Sequence, residues 1–137
     1  MFALSMYEEY LLDILEGKKD CDVRLHPTNK RGRIALLKTK TNLIYGYVDF
    51  IEVEQITYNE YIYWHIGKAY SLEDAIRSIK YNNSLGKRKL KIAYKYKFIN
   101  PILFNIPKKI KILNKIGSWI VFDENQVQNS YIQQKLF

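Results

Sequence analysis

Residues 17–24 read Gly-Lys-Lys-Asp-Cys-Asp-Val-Arg, and the chain changes character inside them. Before them, Tyr7, Tyr10, Leu11, Ile14 and Leu15 recur at helical spacing, which predicts a short helix. Ser5 and Glu8 stand at the spacing of a capping box, the signal for its start, and Gly17 is the usual left-handed stop. After them, Cys21-Asp22-Val23-Arg24-Leu25 alternates with period two and predicts a strand. Residues two apart share a strand face, so Asp22 and Arg24 are expected together on a polar face while Cys21, Val23 and Leu25 turn to the core.

Downstream, His26 to Gly32 is a turn-rich basic loop, and Arg33–Lys38 and Leu43–Val53 read as strands. Gly46 inside the second suggests a bulge or sharp bend, and Asp49, Glu52 and Glu54 are expected to face water. Thr57–Trp64 fits a helix or an aromatic loop, whereas Ser71 caps a clearer helix, Leu72–Lys80, with Glu73 and Asp74 in its first turn. Asn82 to Gly86 breaks the chain. Lys89–Phe98 then alternates cleanly, with Leu90, Ile92, Tyr94, Tyr96 and Phe98 on a core face and Lys89, Lys91, Ala93, Lys95 and Lys97 on the other. Pro101 and Pro107 interrupt the segment beyond Phe98, Ile110–Leu113 fits a short strand, and Gly117–Phe122 a last buried one. The expected architecture is α+β: a small barrel of about five to six strands, with an N-terminal helix and a second helix in the middle.

The chain has 137 residues, the size of one domain. We assign residues 1–124 to it and read 125–137 as a polar tail or short helix. Cys21 is the single cysteine, so no internal disulfide forms, and a reducing, cytoplasmic location is expected. No apolar run approaches the length of a membrane span. His26 and His65 have no partner at metal-ligand spacing, so neither a metal nor a cofactor is expected.

The net charge of +8 is unevenly placed. Residues 1–68 hold 9 Lys/Arg and 10 Asp/Glu, whereas residues 69–137 hold 13 and 4. From Arg77 to Lys115 there are twelve basic residues and no acidic one, which suggests a polyanionic partner. A general Lys, Ile, Asn and Tyr bias throughout the chain is the competing explanation.

The ordered set of segments resembles the ASCH domain family of the PUA-like superfamily. Its G-x-K-x-x-E-x-R signature, directly after the first helix, is matched by Gly17, Lys19, Asp22 and Arg24, with aspartate in place of the family's glutamate. Arg31–Leu37, Ile44–Phe50, Tyr94–Tyr96, Asn100-Pro101 to Pro107, and Gly117-Ser118-Trp119 are similar to the family's later strands, so the resemblance spans about residues 3–122. It implies a β-barrel with a cleft lined by the signature that binds RNA or modified nucleosides. The expected nucleic-acid-binding residues are Lys18, Lys19, Arg24, Arg88, Lys89, Lys91, Lys95, Lys97, Lys108, Lys109 and Lys111. Some members are N4-acetylcytidine amidohydrolases or ribonucleases. If this chain is an enzyme, Lys19, Asp22 and Arg24 are its candidate catalytic residues. The amidohydrolase threonine nucleophile aligns with Asp22, however, and Glu52 and Glu54 are candidates for the remaining glutamate by position only. A third reading is a protein-binding inhibitor module whose basic face docks on an acidic protein surface.

Overall fold

A computed structural model describes residues 1–62, 64, 92–125 and 127. They divide into two compact units, one of residues 1–20, 31–51 and from 98 onward, the other of residues 21–30 and 52–97. In chain order the elements are β1 Phe2–Met6, α1 Glu8–Leu15, β2 Cys21–Arg24, β3 Gly32–Lys38, β4 Leu43–Thr57, α2 Tyr58–Ile62, β5 Ile92–Lys109, β6 Ile112–Ile116 and β7 Trp119–Phe122. The strands pair in the order β2-β5-β4-β3-β1-β7-β6. The structure is a mostly-β sheet with two helices among the described residues, and seven strands are described where five or six were expected. Their order is linear, so the described ladders do not close into the expected barrel. The predicted helix Leu72–Lys80, and most of the tail, lie outside the described residues.

In the first unit β1 is the strand that the sequence hid. It lies between β3, which it pairs in parallel through Ala3↔Ala35 and Leu4↔Leu36, and β7, which it pairs antiparallel through Ala3↔Ile120 and Leu4↔Trp119. Ala3, Leu4 and Met6 are all buried. A strand covered on both faces loses the alternation that would announce it. Ser5 accordingly belongs to β1 and donates its N–H to the Ser118 carbonyl at 2.9 Å, so the expected capping box does not form. Helix α1 starts after Tyr7 without a side-chain cap. Glu8 is used elsewhere, accepting from the Tyr45 hydroxyl at 3.1 Å and pairing with Lys38 at 3.2 Å. The T-x-x-E spacing that does cap is Thr57–Glu60, where the Glu60 N–H donates to Thr57 Oγ1 at 3.2 Å ahead of the short α2.

The other end of α1 agrees with the sequence. Gly17 has φ 79°, its N–H donates to the Ile14 carbonyl at 3.1 Å, and the Lys18 N–H donates to the Asp13 carbonyl at 2.9 Å. Those two bonds make a Schellman end. Along β3 and β4 the pairing passes from Leu36↔Gly46 to Leu37↔Ile44, which leaves Tyr45 as the extra residue of a bulge. Gly46 is needed there for space. A Cβ at this position would collide with the Ile102 carbonyl oxygen and stand 2.9 Å from Leu15 Cδ2.

Strand β5 does not stop at Phe98 as expected but runs on through Pro101 and Pro107, which were expected to interrupt that segment. β2 pairs with Tyr94 to Lys97, short of both prolines. A proline is accommodated in a strand where its missing N–H faces an unpaired edge. The core of this unit packs Ala3, Ala35, Leu37, Ile44, Ile110, Ile120, Phe122 and Val127 together, with Tyr47 and Phe104 against it.

Gly46→Ala is expected to destabilise the protein by about 2 kcal/mol or more, because overpacking against backbone has no cheap relief. Gly17→Ala, where nothing lies within 4 Å and only the positive φ resists, is expected to cost about 1 kcal/mol. Urea unfolding of both variants checks the ranking.

Candidate nucleic-acid interface

The second unit contains β2 paired antiparallel with the start of β5. The register is Cys21↔Lys97, Asp22↔Tyr96, Val23↔Lys95 and Arg24↔Tyr94. Cross-strand partners share a face, so Asp22, Arg24, Tyr94 and Tyr96 lie on one side of the ladder and Cys21, Val23, Lys95 and Lys97 on the other. The sequence expectation placed Asp22 and Arg24 on a wet face. Instead Asp22 is buried at 8% exposure, and both faces of β2 are covered.

A buried carboxylate needs a partner, and Asp22 has one. Arg24 Nε donates to Asp22 Oδ2 at 2.6 Å, with the two side chains mostly shielded from water. The spacing that put both on one strand face thus produces a charge-assisted bond that restrains the guanidinium against the carboxylate. Beside it the Tyr96 hydroxyl donates to the His26 carbonyl at 2.5 Å, closing the turn after β2. Tyr94, the partner of Arg24, is half-buried.

On the opposite face Val23, Leu25, Ile56, Tyr61 and Ala93 form the unit's apolar cluster, with Trp64 packed against it. Lys95 Nζ stands 4.6 Å above the Trp64 ring. Trp64 carried no functional weight in the sequence, since a lone aromatic in an ambiguous segment has no spacing to mark it. Lys97 lies between two carboxylates, 3.0 Å from Glu54 and 3.6 Å from Glu52. The hydrogen bond to Glu54 holds the Lys97 ammonium above its ordinary range, and the same bond from Lys97 holds the Glu54 carboxyl below its own. Glu52 and Glu54 are exposed, as expected, and are occupied with this lysine.

The other expected cations divide between the units. Lys18 and Lys19 belong to the first, Asp22 and Arg24 to the second. Lys18 pairs with Glu16 at 2.9 Å, whose hydrogen bond raises its pKa, and Lys19 lies 5.6 Å above the Tyr10 ring. Lys108 is 5% exposed, buried instead of facing a partner, because it falls on the covered side of β5 between Pro107 and Lys109. Lys109 and Lys111 are exposed. Arg88, Lys89, Lys91 and His65 lie outside the described residues. Cys21 is buried, in the inward position read from the sequence. Among the described residues no three His, Cys, Asp or Glu side chains form a metal-binding group, and no helix is long and apolar enough to cross a membrane.

Comparison with known proteins gives one family and one fold. A family model described as the ASCH domain matches residues 4–102. Among solved structures, a serine-to-alanine variant of an ASCH protein from Zymomonas mobilis is similar with a TM-score of 0.65 at 15% identity, over 96% of this chain and 94% of that one. The crystal structure described simply as ASCH from the same organism gives 0.58 at 14% identity, over 96% and 93%. At these identities the likeness is one of fold. No curated protein matches the chain significantly.

Asp22→Ala is expected to destabilise the protein by about 2–3 kcal/mol, since it leaves a mostly shielded guanidinium without its carboxylate; chemical denaturation reads the loss. For the exposed Lys97–Glu54 pair the test is titration. Its support of the fold is lost on acidification as Glu54 protonates through its lowered pKa, and lost in alkali as Lys97 deprotonates through its raised one. Carboxyl-detected NMR is expected to find the Glu54 midpoint below the ordinary glutamate range, and Lys97→Met to move it upward.

Proposed function

Because the chain belongs to the ASCH domain family, generally a nucleic-acid-binding PUA-like fold, we propose that it binds RNA in the unit built on β2 and the start of β5. The observation that carries this reading is the guanidinium of Arg24, locked by Asp22 at 2.6 Å and directly across the ladder from Tyr94. Single-stranded RNA is recognised by planar cations and aromatic rings that meet unstacked bases, with phosphates held by surrounding positive charge. Arg24 and Tyr94 supply the first pair. The sequence run of Arg88, Lys89 and Lys91, just ahead of β5, supplies the charge.

The arrangement favours holding a ligand over transforming one. The Asp22 carboxylate is engaged by Arg24, which suits a fixed recognition element better than a nucleophile or a general base that must be available to substrate. Lys97 is neutralised locally by Glu52 and Glu54, so it adds less to a phosphate-binding surface than its place in the alternation implied.

Anisotropy of a labelled single-stranded RNA with nuclease-treated protein tests the reading. For about four phosphate contacts, affinity is expected to fall about fifty-fold between about 50 and 200 mM salt. Arg24→Lys keeps the charge but not the fork, and is expected to weaken binding about tenfold with the salt slope nearly unchanged. Lys89→Gln/Lys91→Gln should instead reduce the slope. No binding at the lower salt, or binding indifferent to Arg24→Lys, overturns the proposal.

A further inference from the structure

We propose, resting on the RNA-binding reading, that His26 in the loop after β2 is a phosphate-binding residue of that site, whose proton makes RNA affinity rise as the pH falls below neutral. Val23 and Leu25 both enter the apolar cluster of the second unit, so the alternation of β2 continues one residue past its end. Position 26 then falls on the side of Asp22 and Arg24. The chain bends there, and a hydrogen bond fixes the direction. Tyr96 stands across from Asp22 on that same side, and its hydroxyl donates to the His26 carbonyl at 2.5 Å. The backbone of residue 26 is therefore held on the side of the ladder that carries Arg24 and Tyr94, within one compact unit. Pro27 follows and biases His26 to extended backbone. Further along the same loop the Lys30 N–H donates to Thr28 Oγ1 at 3.2 Å.

Charge gives the residue its role. The titratable and charged groups described on this side of the ladder are Asp22 and Arg24 on β2 and Tyr94 and Tyr96 on β5. Asp22 and Arg24 compensate each other in their 2.6 Å pair, and the two tyrosines bring rings and hydroxyls. His26 is exposed, and residues 23–30 contain no acidic side chain, so its own segment holds nothing to neutralise an imidazolium. Lys30 is the loop's other cation in that stretch.

Histidine as a residue type gains its charge just below neutral pH, at about 6.5. In the protonated ring both nitrogens donate, which suits phosphate oxygens, whereas the neutral ring loses the charge and one donor. Affinity is therefore higher below the histidine range and falls as the pH rises through it. By linkage, bound RNA holds the proton to higher pH.

The probe is labelled oligouridine, whose bases keep their charge state between about pH 5.5 and 8, titrated by anisotropy against the whole chain at constant ionic strength. About tenfold tighter binding is expected at the acid end. His26→Gln leaves the backbone carbonyl that Tyr96 holds, and is expected to bind at every pH with the affinity the unaltered chain shows at the alkaline end. His65→Gln is expected to keep the original profile. NMR titration of the imidazoles is expected to show saturating RNA moving the His26 midpoint upward by about one pH unit, the equivalent of the tenfold gain. A profile that persists in His26→Gln, or disappears in His65→Gln, overturns the proposal. So does a flat profile, or a His26 midpoint that RNA does not move. In each of these cases, binding that Arg24→Lys still weakens leaves the RNA-binding reading standing. No RNA binding at any pH in the range overturns both.

Discussion

The backbone pairing of β5 is the constraint on which both units rest. Its first residues give β2 its only antiparallel partner among the described ladders, in the register Cys21↔Lys97 to Arg24↔Tyr94. Further along, its Ile102 carbonyl occupies the space that a side chain at position 46 would need. A strand assigns successive side chains to opposite faces, so this one register decides which residues share a surface. It sets Asp22 and Arg24 against the tyrosines and sends Lys95 and Lys97 to the other side. A slip by one residue would bring lysines against the buried Asp22 and tyrosines against Val23.

That geometry divides the basic strand face into parts with different roles. The alternation Lys89, Lys91, Lys95, Lys97 suggested a uniform stripe of cations. Lys95 instead caps an indole, and Lys97 is held by two carboxylates of β4. Net charge is thus a poor guide to which cations can meet a phosphate, because each lysine's neighbours decide how much of its field reaches solvent. Arg24 is largely shielded, and its bond to Asp22 orients the guanidinium.

Much of this was legible in the sequence, and the rest was not for identifiable reasons. The stop at Gly17, the bulge at Gly46 and the strand from Ile92 to Phe98 each rest on local chemistry that needs no tertiary partner. β1 was hidden because burial on both faces erases its alternation, and its Ser5 imitated a helix cap. The prolines of β5 looked like breaks because the sequence cannot say that β2 stops pairing before it reaches them. At the site, the Asp22–Arg24 pair could be read from spacing alone, whereas its burial depended on which residues β5 would lay across it. The Glu52–Glu54–Lys97 cluster joins residues more than forty positions apart, and only the i, i+2 spacing of the two acids hinted at it.

Photo-crosslinking of 4-thiouridine-containing single-stranded RNA to the whole chain, with the modified residues identified by mass spectrometry, addresses the central claim most directly. Crosslinks concentrated at Tyr94 and its neighbours on β2 and β5, and lost with Arg24→Lys, are the expected result. Crosslinks confined to other segments, or an equal yield from the variant, would contradict an RNA-binding site built on this ladder.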